Sequence, residues 1–370
     1  MVAGVAGVAA LCLMPVAVAA WPSPRVDADP KVLRELILAS ASRPYQGYAD
    51  TRGEVRLPDV PALDEVAKLV GGTTRIRVWY GSPRAWRVAV LDQTGEGDIY
   101  QTVDGTYLWD FERNLVIHPV GELPVRLPWA ADLLPPDLAR RLLAGAAAAD
   151  TLTTIGSRRV AGMTAAGLRL TPTDPETTIG RVDVWADPAT GLPVQVEVAG
   201  RDSAAPTFTS RFLDLDQRPP DPPVVTPVVA ESAGFAVTTA QDLAAALNGV
   251  APVALPDSLA GRPRTTLPVR GVDVAGVGAY GAGLSTFVVL ALPGRVGSQA
   301  LRAAQDRGGT PVGFATGHGY EIRTSLISAL IVRSEGDRAT RRTFLLAGPV
   351  TPDVLRTAGG ELLAAAPGIR

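Results

Sequence analysis

Few residues in this chain have the types and spacing that chemistry requires. Of the two histidines, His118 stands beside Pro119 at the end of a predicted strand, and His318 sits within Gly317-His318-Gly319 at a predicted turn. The single cysteine, Cys12, lies in the opening apolar run, so the part that folds has no thiol. A zinc site would have to rest on carboxylates, and no ligand spacing supports one. Asp110 and Glu112 share a strand face, but like charges so placed, followed by Arg113, belong on a solvated surface. Gly276-Val277-Gly278-Ala279-Tyr280-Gly281 fits the dinucleotide fingerprint letter by letter. That fingerprint works by opening a helix whose N-terminus receives a pyrophosphate, whereas 284–292, rich in Thr, Phe and Val, reads as a strand. No nucleophile elbow, phosphate loop or paired-carboxylate signature is present. The expectation is a protein that is not an enzyme and uses no cofactor and no metal.

Large side chains in one stretch suggest binding instead. Trp79, Tyr80, Trp86, Tyr100, Tyr107, Trp109, Phe111 and Trp185 fall in neighbouring predicted strands. They either fill an ordinary core or line a pocket that a strongly curved sheet leaves unfilled, which would accept apolar ligands. Ile76, Val78, Val88, Val90, Leu108 and Ile117 compete with the aromatic set for the inward face, because a shift of one residue exchanges the two faces of a strand. The candidate ligand-binding set is therefore Ile76, Val78, Trp79, Trp86, Val88, Val90, Tyr100, Tyr107, Trp109, Phe111 and Trp185.

The elements that must carry these residues follow from periodicity. Asp29-Pro30 before an amphipathic stretch over 31–42 predicts a first helix with Asp29 as N-cap. Residues 45–57 read as a strand, and 63–70 as a short helical insert that could act as a lid. From Thr74 the period becomes two, and strands follow at 86–91, 97–103, 106–111 and 115–118, with Asp104-Gly105 a strong hairpin signal. Leu133 to Leu143, opening at Pro135-Pro136-Asp137, predicts a second helix. Strands near 151–157, 167–171, 179–186, 192–198 and 208–215 complete the unit, with Asp187-Pro188-Ala189-Thr190-Gly191 turning one hairpin. Five prolines at 219, 220, 222, 223 and 227 predict a semi-rigid polyproline linker. Beyond it, helices are expected at 239–247, 298–305 and 351–366, and strands at 269–277, 286–292, 311–315, 320–332 and 342–347.

A length of 370 residues fits two domains rather than one. With 35 Lys plus Arg against 37 Asp plus Glu, no field gathers nucleic acid, which is excluded as a partner. The 46% hydrophobic content and positive mean hydropathy supply ample material for burial despite 38 Gly and 32 Pro. Met1 to Ala20 carries no charge, and Val16-Ala17-Val18-Ala19 before Ala20-Trp21 offers small residues for a signal peptidase. Residues 1–21 are thus a signal peptide or an N-terminal membrane anchor. Leu11 before Cys12 argues against lipid attachment there. The division expected is 26–216 for an apolar-ligand domain, 217–229 for the linker and 231–370 for a smaller α+β domain.

Three segments carry a resemblance. Thr74-Arg75-Ile76-Arg77-Val78-Trp79-Tyr80, then Val103-Asp104-Gly105-Thr106-Tyr107-Leu108-Trp109, then Trp185-Ala186-Asp187-Pro188-Ala189-Thr190-Gly191-Leu192-Pro193 together resemble the lipoprotein-carrier superfamily, in particular the LolA-like and RseB-like proteins of actinobacterial envelopes. The resemblance covers about residues 29–215. It implies an α+β fold with a curved antiparallel sheet, an unclosed half-barrel covered by helices, binding a lipid or lipoprotein acyl chain in the extracytoplasmic envelope, as carrier or chaperone. The second domain, with Tyr280-Gly281-Ala282-Gly283-Leu284 and Phe344-Leu345-Leu346-Ala347-Gly348, suggests the plan of RseB-like stress sensors. That plan implies a membrane partner, a transporter or an anti-sigma factor.

Overall fold

The structure, a computed structural model, describes residues 26, 28–54, 64–91, 95–120, 128–228, 233–239, 253–265, 276–337 and 341–365. The leader, the helix expected at 239–247 apart from Thr239, which ends a strand, and most of the strand expected at 269–277 lie outside those residues.

Alternation in the sequence becomes a twelve-stranded sheet. Its strands are β1 (Tyr45–Gly53), β2 (Thr73–Ser82), β3 (Ala85–Leu91), β4 (Glu96–Thr102), β5 (Gly105–Asp110), β6 (Leu115–Val120), β7 (Thr151–Val160), β8 (Met163–Thr171), β9 (Ile179–Ala186), β10 (Pro193–Gly200), β11 (Phe208–Asp216) and β12 (Gly234–Thr239). They run in the order β12-β6-β5-β4-β3-β2-β1-β11-β10-β9-β8-β7, so the sheet is unclosed. In β2, Thr74, Ile76, Val78 and Tyr80 are buried while Arg75 and Arg77 are exposed, the period-two pattern of a half-buried strand. The turn from β9 to β10 needs its glycine: Gly191 has φ +71°, donates to Asp187 O at 2.8 Å, and a Cβ there would stand 2.3 Å from Leu36 O.

Helices close one face. In α1 (Pro30–Ala39) the Asp29 carboxylate accepts from the backbone N–H of Lys31 at 2.8 Å and Val32 at 3.1 Å, as an N-cap should. Alongside it lies α3 (Pro135–Ala144), and α2 (Asp64–Gly71) packs on β1 and β2. Leu33 and Ile37 of α1 and Ala139 and Leu143 of α3 share one core with Ile76, Val78, Val88, Leu168, Val184, Val196 and Phe212. Each fully buried aliphatic side chain there contributes about 1.5–3 kcal/mol of transfer free energy.

The second sheet has eight strands: β13 (Ser258–Leu259), β14 (Arg262–Thr265), β15 (Val277–Tyr280), β16 (Phe287–Leu292), β17 (Thr310–Phe314), β18 (Gly317–Arg323), β19 (Ser328–Ser334) and β20 (Thr343–Gly348), in the order β13-β14-β15-β16-β20-β19-β18-β17. Leu330, Val332, Phe344 and Leu346 face α5 (Pro352–Ala365). Ile331 and Leu345, one residue out of phase, meet α4 (Gly294–Asp306) on the other face. The glycine-rich hexapeptide is the strand β15 held between Gly276 (φ +78°) and Gly281 (φ +90°), and the next regular strand is β16.

Five details depart from the sequence reading. The strand expected over 45–57 ends at Gly53. The run 320–332 is a hairpin, because Thr324 folds back onto Ile327 through paired backbone and hydroxyl hydrogen bonds of 2.8–3.0 Å, and His318 lies in β18 rather than at a turn. The proline-rich stretch is laid against β2, β3 and β4 through a 3-10 turn at Pro222–Val225, with Val225 buried. Finally, β12, which follows that stretch, returns to the first sheet and pairs in parallel with β6.

The sheets meet at a buried joint. Thr177 is fully buried, and its hydroxyl lies 2.7 Å from Leu284 O and 2.9 Å from Pro349 O while facing Ile179 N–H at 3.2 Å. Thr178 donates to Leu326 O at 2.6 Å, and Leu284 and Leu326 insert into the first core.

Candidate functional site

Register divides the candidate residues between two faces. Ile76 opposes Val90, Val78 opposes Val88, and Tyr80 opposes Trp86, all on the helix-covered concave face. Trp79, Arg87, Tyr100 and Tyr107 form one row across β2 to β5 on the opposite face, and Asp98, Trp109, Val116 and Phe235 another across β4, β5, β6 and β12. One cavity therefore cannot gather all eleven: period two puts alternate residues on opposite sides.

On the concave side the helices leave a cleft of about 260 Å³, lined by Tyr45, Val78, Tyr80, Pro83, Trp86 and Val88 of the sheet side. Trp129, Ala131, Asp132, Leu134, Asp137 and Arg141 complete it from α3 and the turn before it. Of the expected set, Val78, Trp86 and Val88 reach this cleft; Ile76 and Val90 belong to or pack on the adjoining core. Its inner wall is an aromatic stack. Tyr45 lies on Tyr80 at 4.9 Å and 11°, and Phe212 meets Tyr45 edge-on at 5.7 Å and 72°. Tyr80 donates its hydroxyl to Ala41 O at 2.6 Å. Tyr45 is fully buried, its hydroxyl has no hydrogen-bond partner, and burial pushes its pKa well above the usual tyrosine value.

Charge gathers at the helical lip. Asp132 accepts from Arg141 at 2.7 Å and from the Trp129 N–H at 2.8 Å, and Asp137 accepts from Arg140 at 2.7 Å. Burial raises the Asp137 carboxyl against the opposing pull of Arg140. The result is a slot of mixed character, aromatic and aliphatic on its sheet side, with a helical lip whose charges are already paired. Sequence reasoning saw α3 as a core helix through its leucines and passed over this lip. The available signal was Asp137 and Arg141 at i and i+4, which a helix places on one face. Trp129 carried no periodic signal at all.

The outer face holds a different network. Arg87 donates to Asp98 at 2.7 Å and Glu96 at 3.2 Å, and its guanidinium lies 4.8 Å from the Trp79 ring centroid and 5.2 Å from that of Tyr100. His118 stacks on Tyr107 at 4.2 Å and 10°, with Nδ1 2.8 Å from Thr106 O. Three atoms here are buried without partners: Arg87 Nε, Asp98 Oδ1 and Trp109 Nε1. Burial raises the Asp98 carboxyl above the usual carboxylate range, more than Arg87 lowers it, and raises the Tyr100 hydroxyl to about 12. A carboxyl raised on folding contributes stability below its unfolded pKa that is lost as pH rises through the folded one. Asp98→Asn is accordingly expected to be more stable than the parent at pH 7, with the difference shrinking as pH falls toward 4. Urea unfolding across that range measures it, and a difference independent of pH would contradict it.

The remaining candidates stand apart. Phe111 is 67% exposed, with its ring 6.4 Å from that of Trp109. Trp185 donates its indole N–H to Gly156 O at 3.0 Å beneath Arg158, which lies 3.7 Å over the ring. A larger groove of about 450 Å³ runs between α1 and residues 146–150, but Lys31, Arg34, Glu35 and Asp150 line it, and none of the aromatic candidates do. Among the described residues no group of three His, Cys, Asp or Glu side chains could hold a metal ion, and no helix is long and apolar enough to cross a membrane.

No family model and no curated protein matches the sequence. Among solved structures, a chain of the Pseudomonas aeruginosa MucA/MucB complex is 16% identical, with 90% of this chain and 97% of that one covered at a TM-score of 0.50. The chain has the MucB-like fold. Also similar are MucB in complex with MucA(peri), at 15% identity, 90% and 97% coverage and a TM-score of 0.49, and a LolA-superfamily protein from Nitrosomonas europaea, at 14% identity, 54% and 99% coverage and a TM-score of 0.25. At these identities the likeness is one of fold. Within this fold the concave cleft is on the face that the helices cover, and the outer aromatic rows lie on its convex side.

Proposed function

We propose that the protein is an extracytoplasmic binding protein that takes one apolar chain end of a lipid or lipoprotein in the concave cleft, through Val78, Tyr80, Trp86 and Val88. The observation that carries this reading is the slot itself, walled on the sheet side by Val78, Tyr80, Trp86 and Val88, with its charged groups Asp132, Asp137 and Arg141 on the helical side. Its volume of about 260 Å³ is just below the range of about 300–1,000 Å³ usual for ligand sites, which suits one chain end better than several acyl chains. A sensor is thus favoured over a carrier of whole lipoproteins. The second sheet, hydrogen-bonded to the first through Thr177 and Thr178, supports that choice, because a bound state of the cleft has a docked neighbour to report to. By the same reading residues 1–21 direct export or anchor the chain, 26–216 with β12 form the ligand unit, and the partner is a membrane protein of the anti-sigma type; MucB likewise forms a complex with another protein, MucA. Catalysis has no place in it.

Titration with a fluorescent fatty acid tests the assignment. Wild type is expected to bind saturably, Trp86→Ala to bind at least tenfold more weakly, and Trp109→Ala, on the convex face, to stay within twofold of wild type. Absence of saturable binding to wild type, or equal loss in both variants, would overturn the reading.

A further inference from the structure

We infer that β12 is an internal place-holder on the edge of β6, and that this edge is where a partner's extended strand adds to the sheet. Four observations lead there. Every other pairing in the twelve-stranded sheet is antiparallel, and β12 alone is parallel to its neighbour. Among the described residues it is one of the two terminal strands, β7 being the other. It buries little: Phe235 is 51% and Val237 56% exposed, and Gly234 and Ala236 add almost no side chain. It also arrives from a distance, since residues 217–233 separate it from β11 and the Pro222–Val225 turn within them is held against β2, β3 and β4.

A strand so placed is held by its backbone hydrogen bonds and by its tether. The edge of β6 would otherwise present a row of unpaired N–H and C=O groups, which is what a place-holder hides. An incoming strand restores the same backbone bonds, so exchange costs little. Running antiparallel, it gains slightly per residue over the parallel pairing that it replaces. The tether competes through its effective concentration, which keeps the edge closed until a partner is abundant or itself tethered nearby.

The place-holder also shows the chemistry of the occupant. Gly234-Phe235-Ala236-Val237 puts its large apolar residues on the convex side, beside Val116 and His118, and its small ones on the concave side, beside Leu115 and Ile117. The partner is therefore a protein with an extended, proline-free segment that alternates large apolar with small residues. Its large residues would land on the exposed strip that Phe235 and Val237 now occupy, near the exposed Phe111.

The test uses full-length protein in a Cys12→Ser background and a fluorescein-labelled peptide of residues 232–240. Ala236→Pro removes a strand N–H from the place-holder and is expected to bind the peptide at least tenfold more tightly than the parent. Ile117→Cys with Ala236→Cys, at register partners, locks β12 when oxidised and is expected to abolish binding until reduced. Failure of natively folded Ala236→Pro to bind, or binding by the locked chain equal to that of the parent, would overturn the inference. So would a chain that no longer folds with Ala236→Pro, since a place-holder is not needed by the core. Hydrogen exchange gives a readout without mutation: the β12 amides should exchange at least a hundredfold faster than those of β4 and β5, and equal protection would contradict it.

Discussion

Phe212→Ala is expected to lower the unfolding free energy by about 3–5 kcal/mol, the usual range for emptying a buried phenylalanine site. The ring is 1% exposed and meets Tyr45 edge-on, while Tyr45 stacks on Tyr80, so the truncation removes the support behind the cleft wall. Neighbours cannot easily collapse into the space, because β1 and β11 are tied by an antiparallel ladder on which Ala49 opposes Phe212. Two consequences can be read separately. Equilibrium urea unfolding gives the stability loss. Fatty-acid titration well below the unfolding transition should show weakened binding as well, since Tyr45 and Tyr80 line the cleft and Phe212 sets where they stand. A stability loss below about 1 kcal/mol would mean that the wall is not packed as described.

Gly283→Ala should act at the joint. Gly283 has φ +58°, and a Cβ there would stand 2.1 Å from Gly145 O, at the C-terminal end of α3. The left-handed backbone alone costs a non-glycine residue about 1–2 kcal/mol. Relief of the overlap requires the 3-10 turn Gly283–Ser285 to back away from α3, which withdraws Leu284 from the first core and its carbonyl from Thr177. The expected loss is about 2–4 kcal/mol, by analogy with overpacked sites. Scanning calorimetry should show one cooperative transition in wild type and two in Gly283→Ala, because the variant weakens contact between the cores more than either core. A single transition shifted as a whole would place the damage inside one core instead.

Much of the fold was legible because it follows from local rules. The Asp29 cap, the Pro135-Pro136 start of α3, the Asp104-Gly105 and Asp187–Gly191 turns and the alternation from Thr74 each act over a few residues. Where two local signals overlapped, the reading slipped: the turn at Thr324 lies inside an apolar run, and no Gly-Pro pair marks it. The β7 to β8 hairpin turns on Ala161 and Gly162, both at positive φ, a pair that carries a weak sequence signal.

The site was legible only in part. Val78, Trp86 and Val88 were named as candidates and lie in the cleft; Trp79, Tyr100, Tyr107 and Trp109 were named with them and lie on the convex face. By itself the sequence determined that the strands alternate and that their large residues cluster in β2 to β5. Tertiary structure decided which parity faces the helices, because that depends on where α1 and α3 dock and not on the strands. It also brought Asp132, Asp137 and Arg141 to the same cleft as Trp86, and carried β12 past a proline-rich stretch to the far edge of the first sheet. Those are contacts between residues far apart in the chain. No local period encodes them; they are set by which packing buries the most apolar surface while leaving the fewest polar groups unpaired.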